Sequence, residues 1–426
     1  MSIQPKPSDK PNSQWRQSLQ TLSIPSFRWL IASNSAFFLA MQGQVLTRTF
    51  LAWELTNDEM SLAYINIAFA IPMLLFSLVG GALGDRFDRR KIVLTGQLLV
   101  IANESWVLLL LINNNLSFSH LLIAGIIGGT IIPLIMPSRS ALVYNLVGEK
   151  NLGSAIALSS TIVNLSRVLG PAMMGLAISL FSTKGAYVIS IGLFLLALIC
   201  MSAIRYQPVL RIPSDKKIRE DILLGIRYII GYRPLLVCVS FGLLPMLLAL
   251  PVQNLLVVFA DHVWSVGERG LGLLMGVSGL GGVLGSVWVA SRGERTDRTQ
   301  LMIITTVLFG LLLIVFAVTK NFYLALVPLL FANAAASASQ TLNNTMVQIL
   351  VTDEQRGRIS AFMLMAFGLT PLGVLPMAYL AQLIGIQSST VIAATALLLA
   401  VFLFHWQNRA LSQLDSYVTD KLASNQ

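Results

Sequence analysis

Glu104 stands in the run LLVIANESWVLLLL (98–111), the one acidic residue set deep in an apolar stretch. A buried charge is costly without a partner, and acids at membrane depth serve as proton relays in pumps and transporters. Glu104 is therefore a candidate to bind and release a proton. The competing reading is a structural partner for Asn103, Arg167 or another polar group. Arg167 is its cationic counterpart, in NLSRVLGPAMMG (164–175). On a helix Asn164 and Pro171 share its face. It suits an anionic or catecholate group of a solute, or equally a structural ion pair. Asn34, Gln42, Gln44, Thr47 and Arg48 crowd one apolar segment, and Gln44, Thr47 and Arg48 fall on one helical face. That stripe reads as the wall of a polar cavity, although Arg48 lies near the segment's end and can snorkel to the interface. Gln340, Asn343, Asn344 and Gln348 form the corresponding stripe late in the chain, with Asn344 and Gln348 four apart. Hydrogen bonding between helices is the alternative for these amides.

The residues that would do covalent chemistry are missing at depth. No Ser–His, Cys–His or paired-carboxylate arrangement occurs. Cys200 and Cys238 lie in separate apolar runs, and His120, His262 and His405 are isolated. No metal site is expected, no cofactor, and no enzyme. The glycine run GVSGLGGVLG (276–285) lacks the lysine of a nucleotide-binding loop and reads as close helix packing.

The elements that must position these residues follow from composition. Of 426 residues, 55% are hydrophobic and 11% charged; a soluble domain carries roughly 25% charged residues. Each helical crossing of a bilayer needs about 20 apolar residues. Twelve spans fit: 28–52, 60–83, 92–112, 120–138, 153–181, 186–206, 234–260, 269–291, 301–318, 322–349, 358–384 and 388–407. Long, continuously apolar runs are helices rather than barrel strands.

Basic residues support that count. With the N-terminus in the cytoplasm, and residues at the very ends of spans counted with the connections they adjoin, the tails and even-numbered connections hold 24 of the 29 Lys and Arg; Lys184, Arg269 and Lys320 fall outside, and Arg48 and Arg167 within spans. This bias orients membrane proteins and explains the net charge of +10 without nucleic acid. The organisation is then a cytoplasmic tail (1–27), a six-helix bundle (28–206), a cytoplasmic linker with an amphipathic helix (207–233), a second six-helix bundle (234–407) and a cytoplasmic tail (408–426). The polar, proline-bearing start reads as that tail and not as a signal peptide. In the linker Ile222, Ile226, Ile229 and Ile230 share one face, as on a helix lying along a membrane surface. The bundles echo each other: ALVYNLVGEKNLGSAIA (141–157) aligns without a gap on TMVQILVTDEQRGRISA (345–361). Parallel repeats of this kind bind substrate between the halves near mid-membrane.

Between the second and third spans the chain reads GGALGDRFDRRK (80–91). This resembles the signature loop of the major facilitator superfamily, with Asp88 in place of a usual glycine. PSRSALVYNLVGEKNLGSAIAL (137–158), NLSRVLGPAMMG (164–175) and QILVTDEQRGRISA (348–361) are similar to the exporter branch that contains enterobactin exporters and macrolide efflux proteins. The resemblance covers nearly the whole chain. It implies an all-α fold of twelve transmembrane helices in two pseudo-repeats. It also implies that Gly81, Gly84, Asp85, Arg86, Arg89 and Arg90 form a conformational latch. Asp85 would pair with Arg89 and face the eleventh helix, starting near Arg358; the bland reading is that the basic residues only set topology. Gly170, Pro171 and Gly175 match the family's antiporter motif in part, Met174 standing where a glycine is usual. The basic residue that drug–proton antiporters carry in the fourth helix is absent from 125–137.

The expected function is secondary active export of a small amphiphilic molecule, such as a siderophore or macrolide-like drug, by alternating access and driven by protons. A lipid or lysolipid flippase, or an importer, is the alternative on the same fold. A sensor or membrane enzyme is disfavoured. The expected setting is a bacterial inner membrane, with the chain a multi-pass monomer whose partners are solute, proton and lipid bilayer.

Overall fold

The computed structural model describes residues 21–148, 152–205, 227–291, 297–351, 369, 371–407 and 414–417. In the first half α1 is Pro25–Thr56, α2 Glu59–Arg86, α3 Arg89–Ile112 and α4 Phe118–Val147. The element Leu152–Ser202 is two helices joined across a kink at Ser182, here α5 (152–181) and α6 (183–202). The second half holds α7 (Arg233–Val263), α8 (Gly267–Ser291), α9 (Arg298–Val318), α10 (Phe322–Leu350), α11 (Pro371–Ile384) and α12 (Ile386–Gln407). Nine described helical segments are long and apolar enough to cross a membrane.

The elements start and stop for local reasons. Proline opens α1, where a missing N–H costs nothing. Asp58 caps α2 through Met60 N at 3.1 Å, and Asn321 caps α10 through Leu324 N at 3.1 Å. Ser117 and His120 make a reciprocal cap on α4. Asp88 caps α3, its carboxylate accepting from Arg90 N at 2.9 Å. The residue that departs from the signature glycine thus starts the third helix. Pro133 and Pro137 lie inside α4; membrane helices tolerate proline when neighbours re-satisfy the backbone. α7 is the irregular element, passing through a 3-10 stretch (Leu250–Leu255) and a π stretch (Phe259–Val263) after Pro245.

Both halves pack by one scheme. The second helix crosses the fourth, the third packs on the fourth, and the third also meets the sixth: α2·α4, α3·α4 and α3·α6, then α8·α10, α9·α10 and α9·α12. Glycines allow the closest crossings. A Cβ at Gly129 of α4 would strike the Phe69 backbone of α2; Cβ atoms at Gly281 and Gly285 of α8 would strike Leu330 and Ala334 of α10. Within the glycine run 276–285, Gly281 and Gly285 pack closely, whereas a Cβ at Gly276 would meet nothing within 4 Å.

The start of α1, the α2–α3 turn and the end of α6 gather at one end of the molecule. Ser26 Oγ donates to Arg205 O at 3.2 Å, and Arg90 donates to Ser202 O. Asp415 meets the start of α9, accepting from Thr299 N at 3.0 Å, so the C-terminal tail shares its half's equivalent end. The linker helix expected at 207–233 falls mostly outside the described residues; 227–231 are helical, with Ile229 buried and Ile230 exposed. Most of the repeat segment 345–361 lies outside them too.

Candidate functional site

Two of the candidate charges meet. Arg48 of α1 and Glu104 of α3 form an ion pair, their side chains 11% and 3% exposed. Arg48 does not snorkel; it points into the first half. Asn103 Nδ2 donates to Glu104 Oε1 at 3.3 Å and to Ala124 O of α4 at 3.2 Å. Tyr187 of α6 lies beside the guanidinium. Gly128 of α4 makes room for it, since a Cβ there would come within 3.3 Å of Arg48 Nη1. Four helices thus close around one buried pair. Arg48 Nε and Glu104 Oε2 have no partner, so the pair retains unspent hydrogen-bonding capacity.

A second buried cation escapes the sequence reading. Arg139 lies inside α4, buried. The absence of a basic residue from 125–137 suggests a fourth helix without one, but the helix runs through both prolines to Val147. Arg139 Nη1 donates to Asn34 Oδ1 of α1 at 2.6 Å, and the guanidinium carbon stands 4.1 Å from the Phe37 ring centroid. Its Nε and Nη2 have no partner. A cation–π contact of this kind is worth more when desolvated. The tally of basic residues in connections loses Arg139 to a span. The sequence signal is PSR following a proline-bearing apolar run; it reads as a helix end because proline usually stops helices.

The α1 stripe faces the interior of its own half in this conformation, not an open wall. Asn34, Gln44 and Thr47 are buried, and neither amide atom of Gln44 has a partner. Asn344 and Gln348 of α10 are exposed, as is Gln340. Arg167 of α5 is exposed as well. Leu165, Leu169, Leu176 and Leu180 are exposed on the opposite side of α5, about half a turn round at 3.6 residues per turn. Arg167 therefore stands on the face of α5 turned away from these leucines. Asn164 lies on α5, its side chain outside the described set.

Gly170 and Gly175 of α5 serve different neighbours. A Cβ on Gly170 would come within 2.9 Å of Gly43 N and Leu39 O of α1; one on Gly175 would come within 3.0 Å of Gly272 Cα of α8. Gly175 therefore meets the other half, with Pro171 between the two contacts. Of the loop residues, Arg89 reaches Asn145 Oδ1 of α4 at 3.4 Å and Arg90 reaches α6, both within their own half. Gly81, Gly84, Asp85 and Arg86 lie in the last turns of α2; their side chains, and Arg358, are outside the described set.

The described polar contacts between halves sit at the end away from the termini. Trp53 Nε1 donates to Asp261 Oδ2 at 3.1 Å. His262 Nδ1 lies 3.8 Å from Glu59 Oε1. Gln382 Nε2 donates to Asp58 Oδ1 at 3.4 Å. Among the described residues no group of three or more His, Cys, Asp or Glu is placed to hold a metal ion.

The chain is similar to the staphyloferrin A transporter of Staphylococcus aureus (strain NCTC 8325 / PS 47), 23% identical over 88% of this chain and 96% of that one. It is similar to the enterobactin exporter EntS of Escherichia coli O1:K1 / APEC, 25% identical over 66% of this chain and 67% of that one. In fold it resembles the nucleoside transporter NupG, with a TM-score of 0.69 at 13% identity, covering 89% of this chain and 98% of the other. These are transporters, and none is an enzyme. Residues 16–425 match the family described as transmembrane secretion effector, and the chain is a multi-pass membrane transporter belonging to that family of the major facilitator superfamily.

Proposed function

We propose that the protein exports a small amphiphilic molecule of the siderophore or drug class by alternating access, coupled to protons, from the inner membrane of a bacterium. The observation that supports the reading is Arg167, exposed about midway along α5 on the face away from that helix's exposed leucines. Ionisable residues at membrane depth mark solute and ion pathways, and a guanidinium suits a carboxylate or catecholate. The relatives that transport staphyloferrin A and enterobactin support that chemistry. Twelve crossings follow when the nine apolar segments are joined by α1 and α11 and the longest is divided at Ser182. The bias of basic residues supports cytoplasmic termini. The contacts joining the halves then lie on the outer side, and Arg167, Gln340, Asn344 and Gln348 belong to a cavity open inward.

Glu104 is the proposed proton site, with Arg48 as the partner that takes part in the exchange. Asp85, with Gly81, Gly84 and Arg86, is the proposed inner latch for the opposite state. Gly170, Pro171 and Gly175 hold α5 against both halves. The test compares metabolites retained by a deletion strain with those retained by strains carrying wild type, Glu104→Gln or Asp85→Asn. Retained siderophore-like acid in the deletion, cured by wild type alone, is the expected result. Altered membrane lipid with no retained solute would replace this reading with a flippase. Full complementation by well-expressed Glu104→Gln and Asp85→Asn would remove the assigned roles of those two residues.

A further inference from the structure

At the end away from the termini, each half contributes a titratable or hydrogen-bonding pair. From the first half come Trp53, in the last turn of α1, and Glu59, in the first turn of α2. From the second come Asp261 and His262, in the π turn that ends α7. Trp53 bridges both: its indole N–H donates to Asp261, and its ring meets the His262 ring edge-on at 5.0 Å between centroids. Glu59 is 13% exposed and His262 50% exposed, 3.8 Å apart. Trp53 itself is 4% exposed. Trp53 is thus buried against Asp261 and His262 of the other half, as in a closed gate.

The charged residues at this end of the neighbouring elements are lopsided. α2 presents Glu59, with Asp58 beside it bonded to Gln382 of α11. Its own element presents Asp261. α1 ends in Glu54, which accepts from Thr183 of α6 at 3.5 Å. α8 begins with Glu268 and Arg269, and the first turn of α12 carries no titratable group. Acids outnumber bases, so a proton on the imidazole adds attraction across the gap. A neutral imidazole leaves the ring contact, the Trp53–Asp261 bond and the Asp58–Gln382 bond.

We infer that Trp53, Glu59, Asp261 and His262 form a proton-responsive gate that closes the mouth opposite the termini, shut more firmly when His262 is charged. Imidazoles gain charge between about pH 5 and 8. A charged imidazole would add hold across the gap, and the test below reads that response. The π geometry of 259–263 supplies the moving part, since such turns mark places where a helix changes form at functional sites. The inference rests on the alternating-access reading for its consequence: acid on the outer side would speed the return to the inward-open state.

The test reads conformation and not transport. Spin labels go on Asn115→Cys, in the α3–α4 turn, and Lys320→Cys, in the α9–α10 turn; both sites are exposed, and the native Cys200 and Cys238 are buried. Distance distributions are recorded in lipid nanodiscs at pH 5.5 and 7.5. The expected result is a closed-to-open ratio about two- to fivefold higher at pH 5.5, in line with a half-exposed pair. His262→Gln should abolish that pH response while keeping the closed population. Trp53→Phe should shift the mouth toward open at both pH values. An unchanged pH response in His262→Gln, or an unchanged distribution in Trp53→Phe, would overturn the inference. Neither outcome depends on the solute, so a failed export assay with a responsive mouth would count against the export reading alone.

Discussion

In the first half the α2–α4 crossing is made close by a glycine on the fourth helix, Gly129 against Phe69. In the second half the same crossing, α8–α10, is made close by glycines on the second helix, Gly281 and Gly285. The scheme is shared and the means are exchanged between partners. What the two bundles bury differs more. The first buries Arg48, Glu104 and Arg139 within its spans. Among the described residues the second pairs neutral groups, Thr306 Oγ1 with Ser339 Oγ at 2.6 Å and Gln253 Nε2 with Asn333 Oδ1 at 2.7 Å, and leaves the neutral Asn343 Oδ1 and Ser278 Oγ without a partner. Its buried Arg298 is the first residue of α9, at a helix end and not in mid-span. Helix packing requires no mid-span charge, as the described part of the second half demonstrates. The ions of the first half are the groups to which the proposed solute and proton handling is assigned.

The largest effect should come from breaking the buried ion pair. Glu104→Ala leaves Arg48 without a counter-charge and should cost ~3–5 kcal/mol, read as a loss of thermal stability in detergent. Its counterpart in the other half, Thr306→Val with Ser339→Ala, should cost no more than ~1 kcal/mol, since both partners are removed together. Equal losses would erase the contrast between the halves.

A smaller effect separates the two tight turns that join fifth to sixth and eleventh to twelfth helices. Ser182 has φ 60° and Gly385 has φ 84°, a left-handed backbone that suits glycine. Ser182→Gly should be neutral or slightly stabilising, and Gly385→Ala should cost ~1–2 kcal/mol. A stabilising Gly385→Ala would show that the second turn is not under this constraint.

Much of the fold is legible because hydrocarbon leaves few choices: long apolar runs must be helices, and charges must cluster outside them. The kink at Ser182 falls inside the gap between two expected spans. The close packing at Gly281 and Gly285 is legible because small residues at helical spacing have one common use. The site is less so. Arg48 and Glu104 are 56 positions apart, and nothing in spacing reveals that α1 turns its polar face into its own bundle. Arg139 escapes because two prolines ahead of it look like an ending in water, whereas in a bundle the freed carbonyls find other partners. Asp88 departs from a glycine position and is a helix cap. The meeting of Trp53 with Asp261, 208 positions away, needs the folded molecule.

The most direct test of the account is sidedness of the cavity stripe. Asn344→Cys and Gln348→Cys are treated with a charged, membrane-impermeant maleimide in right-side-out and inside-out vesicles. With the outer mouth shut and the cavity open inward, both should label in inside-out vesicles and stay protected in right-side-out ones. Labelling in right-side-out vesicles at equal or greater rate would contradict the orientation and the inward-open state together.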